Sequence, residues 1–492
     1  MVKKNNLIFY ISSTFLLIIL AILFIFGMEL KPSDELWNFN NIYKMYNGFE
    51  IYKDTNVIIT PLFFYLSEFF FHIFTPNILV FRIFNILNFV LIYMVIYKIL
   101  RNLKISKELS LIFLSLIFLE TFSLITCGAN YNFLAILFVL LGINEFLKEK
   151  PSNFIHGLLM FLIFFIKQSI GVYYIIGMIL FEICSKGFTK LNIINLLKRL
   201  LYFTIFSSIL LLIFYFKGIL LDFISFAFGG LFEFSQKNFY FSASPNSVVI
   251  LIIGIILYCF IFIKKKTLLK NLITKNIENN LNLLFVFSLL LTLTIFPLIN
   301  EAHVQLLLPF YLILICYIFY ILILEDIFKD SKNLKLFSYL FTVIILLVCI
   351  GRTTFEFYQT LSYSSYINNQ NSPFYGILIT NEYIEKNDIL KSYILEKKNL
   401  GTEVLILSYD SGYVVADLKQ NNGVYDLLFN GNLGYNGIEK IQKDLLQKNN
   451  IELLILTDES DLHFQESLEI RNFIIENFKY KGELCNYSIY AK

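Results

Sequence analysis

The chain is short of charge. Of its 492 residues only 16% are Asp, Glu, Lys or Arg, against roughly 25% in ordinary soluble domains, while 57% are hydrophobic and the mean hydropathy is +0.68. A soluble globular chain is therefore excluded. The net charge of +3 is too small to point to a polyanion such as nucleic acid. Cysteine is sparse and scattered. Five of its six positions, Cys127, Cys184, Cys259, Cys316 and Cys349, lie in apolar runs, and Cys485 lies near the C-terminus. No two share a metal-ligand spacing, so neither a disulfide framework nor a zinc site is indicated. Gly401 and Gly412 flank an apolar segment without forming a G-x-G-x-x-G phosphate loop. Tryptophan occurs once.

Apolar runs are what the chain has in abundance, with 55 Phe and 31 Tyr among them. A run of about 18 or more residues is the length needed to cross a hydrocarbon core of about 30 Å. Eleven candidate spans follow: 7–27, 77–100, 108–127, 130–148, 154–167, 169–184, 197–216, 246–263, 282–300, 303–324 and 335–351. The N-terminal run is long for a signal peptide and no small-x-small cleavage site follows it, so it reads as an uncleaved span. The pair 154–184 is one long apolar stretch interrupted by Lys167-Gln168. The wealth of Ile, Asn, Lys and Phe points to an AT-rich bacterial genome.

Charge sets the orientation. With the N-terminus inside, the inward loops collect most of the basic residues: Lys98 to Lys107, Lys186 to Arg199 and the cluster Lys264, Lys265, Lys266, Lys270, Lys275. The positive-inside rule then gives a cytoplasmic N-terminus and an extracytoplasmic C-terminus in the plasma membrane, and it favours two spans over 154–184. The first outer loop (28–76) contains an aromatic amphipathic stretch, Pro61 to His72, that reads as a helix lying in the membrane interface. From about residue 365 the texture changes. Strands are expected at 403–408 and 452–457 and helices at 381–398, 436–449 and 466–478, a small soluble α/β unit over 365–492 that follows a membrane unit over 1–360.

The unusual polar residues gather at one end of this map. Asp34, Glu35, Asp54 and His72 lie in the first outer loop, Glu120, Asn130 and Asn132 at the outer ends of the third and fourth spans, and Lys167 and Gln168 at the turn of 154–184. Glu301 and His303 precede the tenth span, and Arg352 follows the last. Ionisable groups near lipid tend to have a partner or a task. A carboxylate here can take an acceptor's proton, and Lys or Arg can hold a lipid phosphate. Each residue also has a plainer reading. Asp34 and Glu35 can open a helix after Pro32-Ser33. Lys167 can snorkel, Asn130 and Asn132 can bond between helices, and Glu120, His303 and His72 can be ordinary interfacial residues.

Asp34-Glu35-Leu36-Trp37, Gly48, Tyr52-Lys53-Asp54 and Pro61-Leu62 together resemble the first outer loop of the GT-C glycosyltransferases, in particular the protein-mannosyltransferase-like and aminoarabinose-transferase-like group. The resemblance continues more weakly to about residue 350, where Asn300-Glu301-Ala302-His303 ahead of Leu308-Pro309 is similar to the family's polar turn before a late span. It implies an inverting transferase that uses a polyprenyl-phosphate sugar as donor and an envelope glycan, lipid or protein as acceptor. Asp34 would be the base, with Glu35 beside it shaping the site. Lys167 and Arg352 are candidates for the donor phosphate from their place on the map, not from the motif. Many members carry a second acid near the start of the fourth span. Asn130 and Asn132 stand there in this chain, which leaves a divalent metal ion open and no cofactor assigned. The expectation is thus an α-helical polytopic membrane protein of about eleven spans, GT-C-like, with a small extracytoplasmic α/β domain. A transporter or flippase of lipid-linked sugars is the alternative, but its marks, inverted repeats or mid-span charges, are missing. A ligase or polymerase using large lipid-linked donors is a third reading.

Overall fold

The computed structural model describes residues 2–30, 34–122, 130–187, 189–237, 240–264, 273–324, 332–408, 411–419, 428, 432–434, 437–457 and 467–492. Lys31, Pro32, Ser33, Cys127 and three members of the basic cluster, Lys265, Lys266 and Lys270, lie outside the described residues.

Each of the eleven apolar runs contains a helix. The first half of the chain supplies α1 (Val2–Gly27), α2 (Asp34–Tyr46), α3 (Leu62–Ile73), α4 (Ile78–Asn102), α5 (Lys107–Thr121), α6 (Tyr131–Phe146), α7 (Asn153–Ile166), α8 (Gln168–Lys186) and α9 (Lys190–Lys217). After α10 (Leu220–Ile224), a π-helix (Ser225–Gly230) and α11 (Leu231–Lys237) come β1 (Tyr240–Ser242), α12 (Pro245–Lys264), α13 (Lys275–Thr292), β2 (Leu298–Asn300), α14 (Glu301–Gln305), α15 (Leu308–Phe319) and α16 (Lys332–Thr360). By length and composition α4, α8, α9, α12, α13 and α16 can each cross a membrane, and α3, α6, α7, α15 and the second half of α1 are shorter apolar helices. The fold is that of a helical multi-pass membrane protein.

Local sequence starts these helices where expected. Asn77, Ser106, Asn130, Ser152, Thr189 and Thr274 each accept a backbone N–H from the first turn they precede, the preferred chemistry for an N-cap. The stretch 154–184 is two helices. Lys167 takes an extended conformation that ends α7 and begins α8. The two helices lie so close that a Cβ on Gly171 would stand 2.3 Å from the Cα of Phe164.

The loop between α1 and α4 is packed rather than open. Almost all of α2 after Asp34 is buried. Its Phe39 ring meets Phe71 of α3 at 5.7 Å, Phe81 of α4 at 6.2 Å and Phe374 at 5.2 Å, and Phe374 in turn stacks on Tyr413 at 4.6 Å. Each such aromatic contributes roughly 1.5–3 kcal/mol by leaving water. On α3, Phe63, Phe64 and Phe71 face inward and Phe69, Ile73 and Phe74 outward, the amphipathic pattern read from the sequence.

The C-terminal segment contains β3 (Ser364–Tyr366), β4 (Leu378–Thr380), α17 (Asn381–Asn399), β5 (Glu403–Ile406), α18 (Ser411–Asp417), α19 (Gly437–Gln447), β6 (Ile451–Leu456), α20 (Leu468–Asn477), β7 (Lys479–Leu484) and β8 (Tyr487–Ala491). Its sheet has the order β5-β6-β8-β7, with β5 and β6 parallel and β8 antiparallel to both neighbours. One face, with Leu405, Leu453 and Ile455, forms a core with Ile441 and Leu445 of α19 and Ile470 and Ile474 of α20. Ile406, Leu454 and Leu456 on the other face join the core that runs through the membrane helices. The two strands and three helices expected from the texture are present. The β3–β4 pair, the β7–β8 hairpin and α18 are additions.

Candidate active site

Lys167 occupies the single-residue turn between α7 and α8. Its amine donates to Asn132 Oδ1 at 2.6 Å and lies 5.3 Å from the centre of the Tyr131 ring. Asn130 caps the same helix start through Asn132 N at 2.9 Å, and its amide lies 3.5 Å from Asp34 Oδ2. The first turn of α6 thus carries two neutral amides, one toward the carboxylate that opens α2 and one toward the cation at the α7–α8 turn. Among the described residues, Asp34 and Lys167 hydrogen-bond to these amides and not to each other.

Asp34 is exposed, beside the start of α6. Enclosure raises its carboxyl pKa, which the Lys167 charge and the Asn130 hydrogen bond only partly offset. Burial lowers the Lys167 amine to about 8, against the pull of Asp34. His303 is pushed down to about 3 by burial and by Lys167, so it is neutral at physiological pH. Its Nδ1 bonds Asn300 Oδ1 at 2.7 Å, which leaves Nε2 as an acceptor. Below these heads a narrow cavity of about 10 Å³, room for about one water, is lined by Asn132, Lys167 and His303 with Ile136, Ile170, Leu291, Leu306 and Phe310. The arrangement presents a carboxylate of raised proton affinity at one amide and, at the other, a separate cation that lines an apolar slot.

The remaining expected residues divide. Glu35 does not share the recess. It is 2% exposed and its carboxylate binds Arg82 Nε at 2.7 Å and Nη2 at 3.0 Å. Arg82 also donates to the carbonyls of Ile25, Met28 and Glu29. Glu35 therefore ties the start of α2 to the end of α1, which corrects its expected place beside the base. Gln168 is a brace as well. Its amide donates to the carbonyls of Ile58 and Ala227 at 2.7 Å each, and Thr60 N donates to its oxygen at 3.3 Å. Glu301 accepts from Ser244 N, Ser247 Oγ and Gln305 at 2.5–2.8 Å, bonds that hold its carboxyl below the usual range and join α14 to the start of α12. Asp54 closes a turn onto Glu50 N at 2.8 Å. His72 pairs with Glu68 at 3.6 Å and stacks on Tyr46. Glu120 is exposed at the end of α5.

Arg352 does not meet Lys167. It lies on the exposed side of α16, 57% accessible, and bonds Glu356 one turn on at 3.0 Å. Its expected part in holding phosphate has no support in this placement. Tyr131 and Arg82 were not singled out by the sequence. Arg82 lies near the start of an apolar run, and only its partner 47 residues away reveals its task. Among the described residues no three His, Cys, Asp or Glu side chains gather in a way that could hold a metal ion.

No protein-family model matches the sequence, nor does any curated protein. A solved structure does. The chain is similar to ArnT from Cupriavidus metallidurans, crystallised in the apo state, with a TM-score of 0.56 over 100% of this chain and 98% of that one, at 9% identity. The two chains share one architecture along their whole length. At that identity the likeness extends to the fold, and the roles of the residues rest on this chain's own geometry.

Proposed function

We propose that the protein is a membrane glycosyltransferase that moves a sugar from a polyprenyl-phosphate donor to an envelope acceptor on the outer face of the plasma membrane, with inversion at the anomeric carbon. The observation that carries this reading is the approach of Asp34 and Lys167 to the two ends of one helix turn, where Lys167 also lines a small apolar slot. The shared fold with ArnT and the excess of Lys and Arg in the loops assigned to the cytoplasm agree with it.

In this mechanism the acceptor hydroxyl oxygen attacks the anomeric carbon while the bond from that carbon to the phosphate oxygen breaks. The electron pair leaves with polyprenyl phosphate, and the hydroxyl proton passes to Asp34. A carboxyl with raised pKa is the better base at neutral pH. Lys167, charged below about pH 8, stabilises the phosphate as negative charge builds on it. Tyr131 offers a ring beside the cation.

The test is transfer from a purified polyprenyl-phosphate sugar in detergent. Asp34→Asn is expected to lower turnover by about 10²–10⁴-fold, with the helical circular dichroism unchanged. Wild-type turnover in that variant would remove Asp34 as the base. Donor left unconsumed by the wild type, with no gradient present, would favour a transporter instead.

A further inference from the structure

Gly412 is the second residue of α18, and a Cβ built on it would stand 3.2 Å from Leu36 Cγ and 3.5 Å from Asn40 Cβ. Leu36 and Asn40 lie one turn apart on α2, the helix whose first residue is Asp34. We propose that the C-terminal segment is a positioning element of the active site and that Gly412 sets where the base stands. The proposal rests on the transferase reading above and adds a positioning residue from the far end of the chain.

Packing argues that this contact is a fixed one. Glycine is a poor choice inside a helix, where it loses the most backbone freedom. What position 412 supplies is the absence of a side chain. Its neighbours Tyr413, Val414 and Ala416 are buried in the same core as Leu36 and Phe39. A second link runs through Phe374, whose ring lies 4.6 Å from Tyr413 and 5.2 Å from Phe39 of α2. A close-packed interior passes a displacement on rather than absorbing it, so a side chain added at 412 must move α2.

The same segment grips both flanks of that helix. Leu30 N, four residues before Asp34, donates to Leu378 O at 2.9 Å. Ile78 N, at the start of α4, donates to Pro373 O at 3.0 Å, and α4 carries the Arg82 that binds Glu35. The side chain of Asp34, by contrast, is held loosely. Its bond to the Asn130 amide is 3.5 Å long, beyond the usual range for such a bond. A carboxylate with so weak a hold of its own takes its place from the backbone beneath it.

The experiment uses the full-length protein in detergent with Gly412→Ala and Gly412→Val. Carboxyls are coupled to glycine ethyl ester by a water-soluble carbodiimide, which attacks the protonated acid, and the rate at each acid is read by mass spectrometry. Displacing Asp34 from Asn130 and Lys167 alters its proton affinity. Its labelling rate is therefore expected to change about threefold in Gly412→Val and about twofold in Gly412→Ala, while Glu476, exposed on α20, reacts as before. In the same preparations kcat should fall about tenfold in Gly412→Val with the KM for the lipid donor held, because Lys167 stands on other helices. Ile474→Val, in the core on the other face of the sheet, is expected to lower Tm with neither effect. Asp34 labelling at the wild-type rate in both variants would overturn the proposal, as would an equal change in Ile474→Val. The alanine methyl asks Leu36 to yield only a few tenths of an ångström, so that variant decides the matter should the valine prevent folding. Labelling needs no turnover. A wild type that transfers no sugar would strike the transferase reading, and the labels would still decide whether Gly412 positions Asp34.

Discussion

Helices α6, α7 and α8 carry a polar cluster at each end, and the two are built on opposite plans. At the end away from Lys167, Arg199 of α9 binds Glu182 at 2.8 Å and Asn153 at 2.9 Å, and lies 5.2 Å from the centre of the Phe146 ring, which stacks on His156. Glu145 beside them accepts from Ser152 N and pairs with Lys148. Cation and anion there bond each other and are 2–3% exposed. At the other end Asp34 and Lys167 each bond a neutral amide and, among the described residues, not each other. A closed pair cancels its own field and joins helices. An open pair keeps both charges available to a ligand.

That contrast can be broken or sharpened experimentally. The largest effect is expected for Asp34→Asn at the open end, about 10²–10⁴-fold in kcat/KM with thermal stability retained. At the closed end Glu182→Gln leaves Arg199 buried without its anion and should cost about 3–5 kcal/mol, seen as a lower Tm, while the protein that remains folded turns over normally. If Glu182→Gln instead abolished transfer at unchanged Tm, the distinction between the two ends would fail. Lys167→Ala removes a charge-assisted bond of about 1.5–3 kcal/mol and should lower kcat/KM about 10- to 100-fold, with partial recovery in Lys167→Arg. Gly171→Ala, whose methyl would press on the α7 backbone, should lower stability by about 1–3 kcal/mol and activity through displacement of Lys167. The subtlest effect is in the pH profile. The rate should rise as Asp34 loses its proton, above the ordinary carboxylate range, and kcat/KM should fall above about 8 as Lys167 loses its own. Bound phosphate favours the charged amine, so the alkaline limb of kcat should lie higher than that of kcat/KM. A flat profile through 8 would remove Lys167 from the transfer step.

How far the sequence reaches depends on the range of the interaction. The helices were legible because an apolar run and its capping residue are local, and the Lys167 break was legible because a charge interrupts one. The acidic pair was legible only in half. Neighbours on a helix point about 100° apart, so Asp34 faces α6 while Glu35 faces Arg82 of α4. Adjacency in sequence suggested a shared site where the helix assigns two. Gln168 and Glu301 were read as cavity residues because their distant partners, mainly backbone groups 57 to 110 positions away, have no sequence signature. For Arg352 the signal was present: Glu356 stands four residues on, the spacing of an ordinary surface pair. The β7–β8 hairpin escaped notice because its turn puts Cys485, not glycine, at a positive φ of 54°.

Gln168 has one more consequence. It grips the carbonyls of Ile58 and Ala227 and the N–H of Thr60, not their side chains. Main-chain groups are the same for almost every amino acid, so mutation at 58 or 227 is limited by size alone, while position 168 requires both the amide and its length. In a library of variants the brace would therefore show as a single intolerant position among permissive partners, and its importance would be invisible to any method that looks for pairs of residues changing together.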